Sequence, residues 1–504
     1  MNPTQEERGP GSGVGPEIIE GLPNICGRET ELRRSRRRPP AARASIEGPR
    51  AACAIALHMH QPLIPAGGSD LRTAEIISNL QYMMAHPHLG DNHNAPVFHQ
   101  CYKRMGDFIP RLLDEGCRPR VMLDYSGTLL FGLRKMGLHD VFDALRPLAT
   151  EARCISAVEW LGTAWGHAVA PSTPPQDFRL QVRAWRHHFA AIFGVEAERR
   201  VRGFSPPEMA LPNHPDVAYE FVRTLREEGY EWVLVQEHTV EQPDSGGAPD
   251  RKHLPHRLVC RNSAGRVAEI VAIIKTQGSD TKLVGQMQPW YEACSLSRWP
   301  LAGREVPPLV TQIADGENGG VMMNEFPPKY FEVVRESSHS DVPLMNVSEY
   351  LDGLWAAGIS SADLPSVQPI HQKRVWDRLG GGVGPEALAG AVEEARREDP
   401  RFHMEGGSWT GDISWVRGYE NVLEPLQKVS ALFHERITAR GVSTDDRRYR
   451  RALFLLLTAQ TSCFRYWGQG IWTDYARELC RRAQEAIESD FPCGSGKEER
   501  TARQ

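Results

Sequence analysis

The chain has almost no excess of charge of either sign: 59 Lys and Arg stand against 64 Asp and Glu, a net −5 over 504 residues. That balance gives no reason to expect nucleic acid or an anionic membrane surface as a partner. No apolar run approaches the ~20 residues that a membrane-spanning helix needs. The ten cysteines, at 26, 53, 101, 117, 154, 260, 294, 463, 480 and 493, include no CxxC pair, and Cys53, Cys260 and Cys463 fall in apolar runs. Scattered thiols of this kind fit a reducing compartment better than a disulfide framework. Arg33, Arg34 and Arg36–Arg38 resemble a twin-arginine signal, but Pro39, Pro40, Arg43, Glu47 and Arg50 follow and leave no apolar signal core. The expected location is cytoplasmic. There is no internal repeat.

What the chain does have is alternation. Residues 1–50, rich in Gly, Pro, Arg and Glu, read as a disordered tail. Order starts at Ala51–Leu57, a continuous apolar run suited to a strand buried on both faces. Strand patterns recur at 118–123, 154–158, 201–204, 231–236, 257–274 (two strands around a turn at 262–265) and 307–314, with helical spacing at 76–84, 97–113 and 178–193. Strand–helix alternation with polar residues gathered after the strands predicts an α/β fold, a parallel barrel over 51–375. Beyond it, 385–397, 421–437, 447–460 and 474–487 have helical spacing, so 376–490 is expected to form a helical subdomain and 491–504 a tail.

Two acids stand out by position. Pro206 and Pro207 cannot donate ladder hydrogen bonds, so the strand ending at Phe204 must stop there, and Glu208 lies just past its carboxyl end. Asp315 follows the strand 307–314 in the same way and opens the turn Asp315-Gly316-Glu317, where the neighbouring Glu317 carboxylate is expected to disfavour the ionised form of Asp315. Chemistry on parallel barrels sits at such strand ends, and cleavage of a glycosidic bond needs two carboxyls there. His58 and His60 end the first strand, and period-2 alternation puts both imidazoles on one side of the sheet. They read as a metal pair, with His167 and Asp124 as further ligands, as donors and acceptors for sugar hydroxyls, or as packing residues. Trp290, Tyr291, Trp409, Trp415, Trp467 and Trp472 include aromatics in polar or Gly-rich settings, suited to pyranose faces or to a core.

Taken together the set resembles glycoside hydrolase family 57, a retaining, α-glucan-active family. His60-Gln61-Pro62 matches its first motif, Trp165-Gly166-His167-Ala168 its second, Ser205-Pro206-Pro207-Glu208 its third, Asp315-Gly316-Glu317 its fourth, and the stretch from Gly407 to Trp415 its aromatic fifth. The resemblance covers about 51 to 480, in the expected order. It implies an incomplete (β/α)7 TIM-like barrel, Glu208 as nucleophile and Asp315 as acid/base, ~5–6 Å apart as retention requires. It also implies that His58, His60, Gln61, His167, Trp409 and Trp415 bind an oligo- or polysaccharide, with no metal and no cofactor. Ser205 stands where the family commonly has Trp, and Gly319-Gly320 where an aromatic is frequent. Amylase, 4-α-glucanotransferase, branching and α-galactosidase activities remain open. Two further readings stand beside it: a metal-dependent barrel hydrolase of amidohydrolase or deacetylase type, and a non-catalytic glucan-binding protein that keeps the fold.

Overall fold

The computed structural model describes residues 15–27, 45–276, 281–380, 383–410, 420–466 and 469–493. Seven strands form its centre: β1 (Ala52–Met59), β2 (Val121–Tyr125), β3 (Val158–Gly162), β4 (Gly203–Phe204), β5 (Trp232–Gln236), β6 (Val267–Lys275) and β7 (Leu309–Asp315). Each pairs in parallel with the next in chain order. β7 then pairs back onto β1, from Leu309↔Ala52 to Asp315↔His58, so the ring closes at seven strands.

β1 shows how the sequence builds the ring. Its alternate residues Ala52, Ala54 and Ala56 join the inner cluster with Met122, Leu161, Trp232, Leu234, Ile273 and Ile313, whereas Cys53, Ile55, Leu57 and Met59 join the outer one. Small residues on β1 leave room for the indole of Trp232. Gly203 does the same on β4, since a Cβ there would meet the Trp232 ring at 2.1 Å. Helix Val347–Ala356 plugs the amino-terminal end of the barrel with Val347, Tyr350, Leu351 and Leu354. At the other end the inner layer turns polar: the row above Ile313, Ala56 and Met122 is Asp315, His58 and Asp124.

Helices Glu420–Phe433, Arg447–Ala459 and Ile471–Asp490 bury Val422, Leu426, Phe433, Leu453, Leu457 and Leu479 in the same outer cluster as β1. The helical region therefore shares a core with the barrel. Helix Pro385–Glu398 packs with Val375, Phe402 and Met404 as a small satellite. None of the ten cysteines is in a disulfide. No described helix is long and apolar enough to cross a membrane.

Three local expectations change. The strand placed at 154–158 runs from Val158 to Gly162, because pairing with β2 starts at Val121↔Val158 while Ala152–Ile155 is a helical turn. The helix placed at 76–84 splits: Glu75–Ser78 pairs with Leu63–Gly67, and Ser78 then caps helix Asn79–Ala85. Residues 15–27, read as part of the disordered tail, fold into a short hairpin (Ile18–Ile19 with Leu22–Pro23). Glu17 pairs with Arg134, Glu20 with Arg447, and Ile25 is buried in the outer cluster. Their few apolar side chains suffice because a preformed surface receives them.

Candidate active site

The polar row opens into a cavity of about 350 Å³ at the carboxyl ends of the strands. Its volume lies at the lower end of the range for small-ligand sites, room for about one sugar ring and its water. His58, His60 and His167, with Glu208, Asp315 and Glu317, supply its ionisable lining; Ser205, Pro206, Met209, Ile313, Ala314, Trp409 and Cys463 complete it. No Lys or Arg is among the described lining residues.

The three imidazoles form one stack. His58 and His60 point the same way, as β1 alternation requires, with centroids 6.3 Å apart; the His167 ring lies 4.7 Å from the first and 3.9 Å from the second. His167 arrives on the loop after β3 with φ 59°, a left-handed backbone that costs a non-glycine residue roughly 1 kcal/mol or more. Its neighbour Gly166 has to be glycine, because a Cβ there would sit 2.3 Å from the Leu457 carbonyl. Nδ1 atoms are spoken for: His58 faces Asp124 Oδ2 at 2.9 Å, His60 the Ser126 hydroxyl at 2.8 Å, His167 the Ser462 hydroxyl at 2.7 Å. Burial lowers the His60 and His167 imidazoles well below their ordinary value, and the charge of His58 adds to this. These two are neutral, one ring nitrogen donating and the other accepting, which suits sugar hydroxyls. No group of three or more His, Cys, Asp or Glu among the described residues converges as a metal site.

Glu208 sits on a strained turn. It has φ 58° and Met209 has φ 48°, two consecutive left-handed non-glycine residues. A strap from the far end of the chain holds them: Leu211 and Gly407 exchange backbone hydrogen bonds, and the Trp409 amide donates to the Glu208 carbonyl at 3.1 Å. The Trp409 indole Nε1–H donates to Glu208 Oε2 at 2.7 Å, and His167 Nδ1 lies 3.9 Å from Oε1. Burial pushes the Glu208 carboxyl up and Asp315 adds to it, whereas the Ser462 hydroxyl, the Trp409 indole and His58 pull it back.

Asp315, last residue of β7, lies in register with His58 and is exposed. Glu317 was read from sequence only as a neighbour that would raise Asp315. In the structure Glu317 is itself the perturbed group: burial first, then Asp315, push it up to about 8, against the His60 amide, which donates to Oε1 at 2.9 Å.

Of the sequence-named residues, Glu208, Asp315, His58, His60, His167 and Trp409 thus meet in one cavity. Gln61 does not line it: it is buried behind His60, and its Oε1 accepts from Asn79 at 2.9 Å. Alternation explains this, since residue 61 follows an inward residue. Trp415 lies outside the described residues. Sequence reading missed Glu317, whose signal was its two-residue spacing from Asp315, and named Asp124 only as a metal ligand. It also missed Ser462 and Cys463, which follow helix Arg447–Ala459 and carry no local signal. Cys463 Sγ lies 3.4 Å from His60 Nε2, and burial, with Glu208, pushes its thiol up to about 12.

Fold and site together define a (β/α)7 barrel with a carboxylate-lined pocket at the carboxyl ends of its strands. The profile of glycosyl hydrolase family 57 matches residues 54–350, and the chain belongs to that family. No curated protein matches the sequence. Among solved structures, 4-alpha-glucanotransferase from Thermococcus litoralis superposes with a TM-score of 0.53 at 17% identity, covering 88% of this chain and 60% of the other. The chain thus spans about three-fifths of that protein's length. The family 57 branching enzyme of Pyrococcus horikoshii gives 0.49 at 13% identity (86% and 87% covered), and the exo-type maltose-forming amylase of Pyrococcus sp. ST04 gives 0.49 at 13% (87% and 80%).

Proposed function

We propose that the protein is a retaining glycoside hydrolase or transglycosidase acting on α-glucan by double displacement. The observation that carries this reading is the meeting of Glu208 and Asp315, from the ends of β4 and β7, on one sugar-sized cavity without a Lys or Arg in its described lining. Glu208 attacks the anomeric carbon. Its oxygen Oε2 is engaged by the Trp409 indole, Oε1 lies 3.9 Å from His167 Nδ1, and the Ser462 hydroxyl also bonds the carboxylate. The strained backbone and the strap fix that carboxylate before substrate arrives, which lowers the ordering cost of attack. Asp315 protonates the departing oxygen, then removes the proton of the incoming water or sugar hydroxyl.

Glu317, with a value of about 8, is mostly neutral near pH 7. It therefore adds no second full negative charge beside Asp315 in the acid step. His60 and His167 contact sugar hydroxyls. The test is a product profile from maltooligosaccharides with the anomeric form followed by NMR. Shorter products mean hydrolysis, a ladder of longer ones transfer, and new α-1,6 linkages branching. An initial product of inverted configuration, or no turnover of any α-glucan, would overturn the reading.

A further inference from the structure

His58 is the middle member of a row that crosses three strands in register, Asp315 on β7, His58 on β1 and Asp124 on β2. Parallel neighbours in register stand ~4.8 Å apart with side chains pointing the same way, so the imidazole is flanked by two carboxyls. The two flanks differ. Asp315 is exposed at the cavity, whereas Asp124 is 1% exposed, bonds His58 Nδ1 through Oδ2 at 2.9 Å, and has no partner for Oδ1 among the described residues. A carboxylate buried with one strong partner is tolerated as an anion only when that partner carries the opposite charge.

The groups that face His58 come from every neighbouring element: Asp124 on β2, Asp315 and Glu317 at the end of β7, His60 on its own strand, His167 after β3 and Glu208 after β4. Burial alone would lower the imidazole, but Asp124, then Asp315 and Glu317, push it up to about 10. His60 and His167 are pushed the other way, and no described Lys or Arg lines the cavity. Among the described lining residues His58 is thus the one standing cation beside three carboxyls.

We infer that Asp124 is a positioning residue which, by holding His58 as an imidazolium, keeps Glu208 ionised for attack. The inference rests on Glu208 being the nucleophile proposed above. Asp124 never touches substrate; it acts through the ring it bonds. A merely structural Asp124 would support packing of β1 against β2 and leave the ionisation of Glu208 unmoved.

The experiment pairs Asp124→Asn with Asp124→Glu in the full chain. It reads the imidazole of His58 by ¹⁵N NMR, the Glu208 carboxyl by ¹³C NMR, and kcat/KM on a maltooligosaccharide from pH 4.5 to 9. In the wild type His58 stays charged at pH 8. In Asp124→Asn it is neutral by pH 8, and the Glu208 titration and the acid limb of kcat/KM both move up by about one pH unit. Activity at pH 5 then falls about tenfold more than at pH 8. Asp124→Glu restores charge and limb at least in part. A neutral His58 at pH 7 in the wild type, or a neutralised His58 with Glu208 unmoved, would overturn the inference while leaving the proposed function standing. If no α-glucan is turned over, the proposed function fails, but the two NMR titrations still decide the linkage. If Asp124→Asn does not fold, His58→Gln is read for the same Glu208 shift.

Discussion

The two ends of the barrel both carry charge, and they treat it in opposite ways. At the amino-terminal end every acid named here has an arginine or a full set of donors. Arg202, just before β4, bonds Glu231 at 2.7 Å and Asp352 through both terminal nitrogens at 2.6 and 2.7 Å; Arg120, just before β2, forks onto Glu349 at 2.7 and 3.0 Å. Glu159 is buried there, yet it takes the Ser348 amide and hydroxyl. At the carboxyl end Glu208 has an indole N–H and the Ser462 hydroxyl, Glu317 a backbone N–H, and no described Lys or Arg lines the cavity. The backbone differs too: Glu208, Met209 and His167 have positive φ. Charges that hold a fold together are neutralised where they stand. The cavity carboxyls have no Lys or Arg beside them among the described lining residues, and burial raises the proton affinity of Glu208 and Glu317.

Five substitutions sharpen or break that contrast. The largest effect is expected at Glu208→Gln, which keeps the Trp409 contact and loses turnover on the order of 10³-fold or more while the melting temperature holds or rises. Substantial activity in that variant would remove Glu208 from its assigned role. Asp315→Ala belongs beside it: slow on poor leaving groups, much less impaired on good ones, with azide giving a product of the substrate's own anomeric configuration. An inverted azide product would reassign the two acids.

Arg202→Met probes the other end. It leaves Asp352 and Glu231 without their partner in a half-buried site, so unfolding stability should drop by about 2 kcal/mol. Specific activity of the folded enzyme should not change. A loss of kcat without a loss of stability would contradict the division of labour between the two ends.

A smaller change is expected from Trp409→Phe, which keeps a ring over the cavity and removes the donor at 2.7 Å from Glu208 Oε2. A hydrogen bond to a charged group is worth about 1.5–3 kcal/mol, so kcat/KM should fall by roughly 10-fold or more. The acid limb should shift upward, because the ionised form of Glu208 loses a donor. Full activity with an unmoved limb would mean that the indole only packs.

The smallest is a stability effect. Glu317 is pushed up to about 8 in the fold from an ordinary 4.5. Between those values the unfolded chain has released the proton and the folded one keeps it, so stability falls as pH rises from 4.5 to 8 and levels off above. Glu317→Gln removes that penalty: it should melt about 2 °C above wild type at pH 8–9, with the gap closing toward pH 5. A gap that grows on acidification would reverse the sign and refute the burial argument. His58, raised in the fold, also loses stability as pH rises, whereas His60 and His167, lowered in the fold, lose it on acidification. Glu317 is the cleaner probe.

Much of this molecule is already determined by local rules of the sequence. A run such as Ala51–Leu57 suits a strand buried on both faces, two prolines end the strand before Glu208, and alternation puts His58 and His60 on one side. Strand ends collect the chemistry of a parallel barrel, so Glu208 and Asp315 were legible without coordinates. The prolines that marked Glu208 did not reveal its left-handed backbone, which needs the strap at 407–409, about 200 residues away. The row Asp315–His58–Asp124 exists only because β7, β1 and β2 pair in one register, and register is a relation between strands that no single strand encodes. Cys463 reaches the cavity, and Ser462 the His167 ring, only by the docking of helix Arg447–Ala459. Proton affinity was settled last, because burial outweighs sequence neighbours: the sequence expectation was that Glu317 would shift Asp315, and in the closed barrel Glu317 is the group that is buried and shifted.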